Sequence, residues 1–176
     1  MLTNSQGVPC TLVDCIAQTF IIAYKEPTEQ LTSALQQFGC DCTVLRQVHQ
    51  PGYETYSPSF LCLLNHRSAW ELALRSQQPT LIVEADFVPV QNFAQLRPPF
   101  DPTDEALGIA WLYTCAAQVY RVSKYSVSKS VSNKSGSNEI SNDMVEWAQG
   151  YSTSMVAYVV SPRGARHLID LASQVE

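Results

Sequence analysis

Leu81-Ile82-Val83-Glu84-Ala85-Asp86-Phe87-Val88-Pro89 is an apolar, β-prone run that ends in two carboxylates and a proline. On an extended chain, residues two apart project to the same side, so Glu84 and Asp86 offer paired hard oxygen donors at a strand end. Such a pair can hold Mg²⁺ or Mn²⁺ between itself and the phosphates of a substrate. Taken alone, the same pattern is also that of a core strand turning polar as it leaves the core. Several other side chains could do chemistry. His66 sits in an apolar segment just before the acidic strand, either as a core histidine bonding a neighbouring carbonyl or as a partner of a bound ligand or a site carboxylate. Arg67 could reach a phosphate, and Arg163 and Arg166, near a helix start, could help bind an anion. Solvated helix surface is the plainer reading of all three. Asp101, Asp104 and Glu105 could supply a base from a proline-rich loop, or simply be solvated coil. Trp111 and Tyr113 could stack on a flat ligand, though aromatic residues in apolar strands are mostly core.

These residues need elements to position them. Thr19 to Tyr24 is a short β-rich run, and Pro27-Thr28-Glu29 opens a helix on which Leu31, Ala34, Leu35 and Phe38 recur, with Gly39 as its stop. Cys42 to Leu45 reads as the next strand, which completes a βαβ unit and predicts a parallel sheet. Gln50 to Pro58 reads as a loop. Phe60 to Leu74 fits a well-buried helix that carries His66 and stops at Ser76 to Pro79. The acidic strand follows at once. Ala106 to Tyr113 and Gln118 to Val122 are further strand candidates, and Ser154 to Val160 is a strong one. Ser161-Pro162-Arg163-Gly164-Ala165-Arg166 then opens a last helix. Residues 123–142 hold eight serines with Lys124, Lys129 and Lys134, a composition too poor in apolar surface to order itself; it predicts a mobile loop. Such a loop suits a lid over a bound ligand, or an insertion with no role.

The chain has 176 residues, 45% of them hydrophobic and 15% charged, which suits a single globular domain spanning residues 1–176. A net charge of -5 without any Lys/Arg cluster argues against nucleic-acid binding. Among the six cysteines no C-x-x-C pair occurs, and Cys40-x-Cys42 lacks a matching half, so a zinc site has little support. Cys62 and Cys115 read as small buried hydrophobes. No secretory leader and no apolar run long enough to span a membrane is seen, which predicts a cytoplasmic protein with reduced thiols.

Four pieces, in order, resemble glycosyltransferase family 25, the lipopolysaccharide and collagen sugar transferases with a GT-A-like fold. They are Phe20-Ile21-Ile22 with its following helix, and Cys62-Leu63-Leu64-Asn65-His66 with Trp70. The third is Leu81 to Val88, similar to the family's strand ending in Glu-Asp-Asp. The fourth is Gly150-Tyr151-Ser152-Thr153 through Val159-Val160-Ser161-Pro162-Arg163-Gly164-Ala165. The resemblance implies an α/β, Rossmann-like GT-A domain with a mostly parallel sheet flanked by helices. It implies transfer of a sugar from a nucleotide-sugar donor, a UDP-sugar foremost, to a hydroxyl of a glycan or lipid-linked acceptor. It further implies Asp86 and His66 as catalytic residues, Asp86 and Glu84 as ligands of Mn²⁺ or Mg²⁺, and Glu84, Asn65, Arg67 and Arg163 as donor contacts. The location implied is cytoplasmic, with peripheral attachment to the inner membrane as a variant.

Three departures accompany the resemblance. Ala85 stands where the family has its central acid, and Asn65 where it has a serine before the histidine. The chain also stops soon after Asp170, where the family continues to another acidic segment, which predicts a shortened member or a fragment. Ala85 and the short carboxyl end keep open a non-catalytic domain that binds a nucleotide or sugar, or serves as a partner, while Asn65 can still donate and accept hydrogen bonds. An unrelated α/β domain with a coincidental acidic strand end is the remaining alternative.

Overall fold

The structure, a computed structural model, describes residues 10–48, 50–100, 107–112, 117–126, 144–152 and 155–174, with backbone alone at 117–126 and 144–152. The elements are β1 (Gln18–Ala23), α1 (Glu29–Gln37), β2 (Cys42–Arg46), α2 (Pro58–Ser76), β3 (Thr80–Glu84), β4 (Ile109–Trp111), β5 (Ala117–Ser126), β6 (Met144–Ser152), β7 (Ala157–Val160) and α3 (Pro162–Ala172), with short 3₁₀ turns between some of them. They fall into two compact units, residues 1–113 with 155–176, and residues 114–154.

The larger unit is built on a five-stranded sheet in the order β2-β1-β3-β7-β4. β1 runs parallel to β2 and β3, while β7 is antiparallel to both β3 and β4. Four strands therefore point one way and β7 alone returns, the mostly parallel, Rossmann-like α/β layout of a GT-A fold. The chain steps from β1 outward to β2, then crosses back over β1 to β3. Crossovers of a single hand must then place α1 and α2 on opposite faces, and the core shows it. Leu31 and Leu35 of α1 pack with Ile21, Leu81, Val83 and Val159 on one face. Ala69, Trp70 and Ala73 of α2, with Ala165 and Ala172 of α3, pack with Phe20, Ile22, Ile82, Tyr158 and Val160 on the other. Strands buried on both faces carry continuous apolar runs, which is why β1, β3 and β7 stand out in the sequence.

Local chemistry sets the helix starts. The Ser57 side chain accepts from the Phe60 N–H at 3.2 Å with Pro58 behind it, so α2 begins inside the stretch expected to be loop. Ser161 accepts from the Gly164 N–H at 3.1 Å in the same way and opens α3. Gly164 has a second duty: a Cβ there would lie 2.0 Å from the Gly108 carbonyl oxygen, so α3 can rest on that backbone only through a glycine. At the other end of the chain Gly39 follows α1 with φ +88, the left-handed conformation that a helix terminus favours.

β5 and β6 pair antiparallel in the smaller unit, with a register irregularity between Val119 and Arg121. Ser123 to Ser126 therefore belong to a strand rather than to a loop. Backbone pairing orders them without the apolar surface that composition demanded. The rest of the expected loop, 127–142, lies outside the described residues.

Candidate functional site

A strand order that reverses between β1 and β3 opens a crevice at their carboxyl ends, and a cleft of about 550 Å³ lies there. Tyr24 and Glu26 line it from beyond β1, Gln47 from beyond β2, Cys62 and Asn65 from α2, and Glu84, Ala85 and Asp86 from the end of β3.

Glu84 and Asp86 both reach this wall, but not as neighbours on one face of a strand. β3 ends at Glu84, and the Phe87 N–H bonds back to the Glu84 carbonyl at 3.0 Å. Phe87 is buried in the core, so the chain must curl to return it there, and Asp86 is left exposed on the turn. The expectation of paired strand carboxylates is corrected to two carboxylates on one tight turn.

Behind Glu84 runs a buried chain of hydrogen bonds. The Trp70 indole N–H donates to the Tyr158 hydroxyl oxygen at 2.8 Å. His66 Nδ1 lies 2.8 Å from that same oxygen, and His66 Nε2 lies 3.1 Å from Glu84 Oε1. Toward a carboxylate that accepts, Nε2 is the donor, and Nδ1, left as the acceptor, takes the Tyr158 hydroxyl hydrogen. His66 and Trp70 are four residues apart and share one face of α2, which sets both against Tyr158. Burial pushes the Tyr158 phenol far up from its ordinary ionisation; the Trp70 hydrogen bond opposes this and the Glu84 charge adds to it. Tyr158 thus remains a neutral donor. His66 is only 3% exposed and meets the cleft through Glu84. It bonds a site carboxylate, not a backbone carbonyl.

One turn before His66 stands Cys62, which is exposed and lines the cleft, contrary to its expected role as a buried hydrophobe. Its thiol is nonetheless pushed up from the usual cysteine value, first by desolvation against the cleft walls and then by Glu84, Asp86 and Glu26. Cys62 Sγ, a His66 ring nitrogen and a Glu84 oxygen all lie within 4.8 Å of one another, a set of donors that could hold a metal ion. Asn65 is buried, and its amide donates to the Ala23 carbonyl at 3.2 Å, which ties α2 to the end of β1. The Glu26 carboxylate accepts from the Tyr24 N–H at 2.6 Å, and this backbone bond is the main reason its pKa is lowered. Arg46 braces the same loop from β2 through the Glu26 carbonyl at 3.0 Å and Thr28 Oγ1 at 3.2 Å.

Other expected residues stand apart from the cleft. Arg67 pairs with Glu71 at 3.3 Å along α2. Arg163 and Arg166 are exposed on α3. Because Val160 pairs with Thr80, the start of α3 lies at the opposite sheet edge from Glu84, and so Arg163 is removed from this site. Trp111 is 39% exposed with its ring 5.8 Å from Tyr158, and it does not line the cleft. Asp101, Asp104, Glu105 and Tyr113 lie outside the described residues. Sequence reasoning missed Tyr24, Glu26 and Gln47, although the rule that ligands bind at the strand-order reversal points to residues just after β1 and β2. Tyr158 offered no such signal, since a tyrosine in an apolar strand reads as core.

The family model described as glycosyltransferase family 25 (LPS biosynthesis protein) matches residues 58–176. That range holds the helix with His66, the acidic turn and the capped α3, while β1 and α1 precede it. A search of curated proteins finds none that matches the chain. A match over this span shows that the chain belongs to glycosyltransferase family 25, whose description is lipopolysaccharide biosynthesis.

Proposed function

We propose that the cleft binds a nucleotide-sugar donor, a UDP-sugar foremost, and that the chain transfers the sugar to a hydroxyl of a glycan or lipid-linked acceptor. One observation carries this reading beyond the family: the cleft at the strand-order reversal presents Glu26, Glu84 and Asp86, and no Lys or Arg among its described lining residues. The charged side chains of that lining are carboxylates alone, so a diphosphate there calls for a divalent cation as companion, even with the Lys25 ammonium 4.8 Å from the ring centroid of Tyr24 beside it. Glu84 and Asp86 fit Mn²⁺ or Mg²⁺, being hard oxygen donors on one turn with room for substrate oxygens beside them. Such an ion supplies Lewis-acid stabilisation of the charge that gathers on a departing diphosphate.

The chain's own residues do the rest. Asp86, exposed on the turn, makes the direct contact with cation or donor. Glu84 is held in one orientation by His66, which makes His66 a positioning residue. Asn65 fixes the helix wall of the cleft to β1, and Tyr24 offers an aromatic face to a base or sugar. Residues 1–176 are read as one glycosyltransferase-like domain that works in the cytoplasm, peripheral to the inner membrane. No helix among the described residues is long and apolar enough to cross a membrane. A rival reading, a domain that binds the donor without transferring it, draws on Ala85, which leaves the cleft wall one carboxylate short of the family pattern. Calorimetric titration with UDP tests the site: heat of binding with Mn²⁺ present and its loss on chelation support the reading, and binding indifferent to the ion removes it.

A further inference from the structure

We infer that Cys62, His66 and Glu84 form a cation site of a second kind, one that selects a zinc-class ion through one sulfur, one nitrogen and one oxygen donor. Three features of the structure support it. First, the three donor atoms already lie within 4.8 Å of one another. A tetrahedral zinc ion, with bonds of about 2.0–2.3 Å, sets its ligand atoms roughly 3.3–3.8 Å apart. His66 and Glu84 are at 3.1 Å and need only open slightly, while the exposed Cys62 side chain can close by rotation. Second, Cys62 and His66 are four residues apart on α2, the spacing at which a helix offers two ligands to one ion. Third, the ring is oriented from behind. His66 Nδ1 is engaged by Tyr158, and Tyr158 by Trp70, both at 2.8 Å. A ligating histidine is typically held by a partner that accepts from its other nitrogen, the part the Tyr158 oxygen takes once the tautomer changes.

Proton accounting is simple. The imidazole stays neutral and its proton moves from Nε2 to Nδ1, which turns from acceptor to donor toward the Tyr158 oxygen as the phenol hydrogen rotates off it. Nε2 then gives its lone pair to the ion. The Cys62 thiol loses its proton to solvent, and Glu84 binds as the carboxylate. Three protein ligands leave the fourth position open to the cleft, for water. Glu84, Asp86 and Glu26 line the same cleft as Cys62 and draw a divalent cation toward the sulfur. Mn²⁺ and Mg²⁺ prefer all-oxygen shells and have no use for the thiolate. Glu84 is common to both sites, so the two classes of ion exclude each other; this last consequence rests on the proposed donor site, while the ion site itself does not.

The test is a titration of the full chain with Co²⁺, the usual spectroscopic substitute for zinc, followed by thiolate-to-cobalt charge-transfer absorption in the near ultraviolet. The expected result is a stoichiometric band that Zn²⁺ bleaches, that Cys62→Ser abolishes and that Cys42→Ser leaves in place. Glu84→Gln should weaken Co²⁺ binding about ten- to a hundredfold. Cys62 is exposed, so its replacement does not threaten the fold, and circular dichroism verifies this. A wild-type chain without the band, or a band that persists in Cys62→Ser, overturns the inference. UDP binding with Mn²⁺, measured without cobalt, reports on the donor reading separately.

Discussion

His66 Nε2 donates to Glu84 Oε1 across 3.1 Å, from a ring that is 3% exposed to a carboxylate on the wall of the cleft. The ring cannot turn, because Nδ1 is bonded to Tyr158. Glu84 is therefore aimed by the core of the protein. Substituting His66→Gln should raise the KM for donor and Mn²⁺ about ten- to a hundredfold with a smaller change in kcat, as for partners that orient a ligating group. Steady-state kinetics with both concentrations varied reads the split. A fall in kcat alone would mean that His66 touches the reacting atoms.

Tyr158→Phe removes the oxygen that serves both Trp70 and His66 and leaves two buried nitrogens without a partner. The cost should be about 2–4 kcal/mol in urea unfolding. The same tyrosine gives stability a sign with pH. Its pKa is raised in the folded chain, so its contribution is complete below about pH 10, where the unfolded tyrosine is still neutral, and falls at higher pH as unfolding releases a proton. The slope from this residue approaches about 1.4 kcal/mol per pH unit on the alkaline limb. Tyr158→Phe should flatten that limb while lowering the plateau. An unchanged alkaline slope would contradict the buried, neutral phenol.

Gly164→Ala would drive a methyl group into the Gly108 carbonyl, which is backbone and cannot swing aside. A loss of about 3 kcal/mol follows for an overpacked contact of this kind. Because α3 starts at the sheet edge opposite Glu84, the fraction that folds should bind UDP and Mn²⁺ as the wild type does. Thermal unfolding and calorimetry together check both halves. Unchanged stability would show that the glycine is not needed for the approach.

The sheet was legible because β1, β3 and β7 are buried on both faces and so carry unbroken apolar runs, and because Ser57-Pro58 and Ser161-Pro162 announce helix starts. β6 was not, since its strand forms by backbone pairing with β5 and leaves little mark on composition. The turn at Asp86 was hidden for a related reason: it is Phe87, returning to the core, that bends the chain, and the destination of a side chain is not written beside it. Within the candidate site, His66, Asn65, Glu84 and Asp86 were legible. The remainder depends on contacts far apart in sequence. Tyr158 bonds His66 across 92 positions, beyond any local spacing. Arg163 stands apart from the cleft for the converse reason, as its neighbours match a family pattern while the antiparallel direction of β7 carries it to the sheet edge opposite Glu84. Cys62 stands between Leu61 and the pair Leu63 and Leu64, an apolar stretch in which packing alone decides which side chain meets water.

The central claim is that a cation held at the acidic turn lets this cleft use a nucleotide-sugar donor. Its most direct test is the release of UDP from UDP-sugars by the wild-type chain and by Asp86→Ala, each with and without Mn²⁺. The account predicts ion-dependent turnover in the wild type and a loss of at least about tenfold in Asp86→Ala, about the least expected from removing a metal ligand or a charged contact made in the transition state. Equal turnover by the two proteins, or turnover indifferent to Mn²⁺, would contradict it.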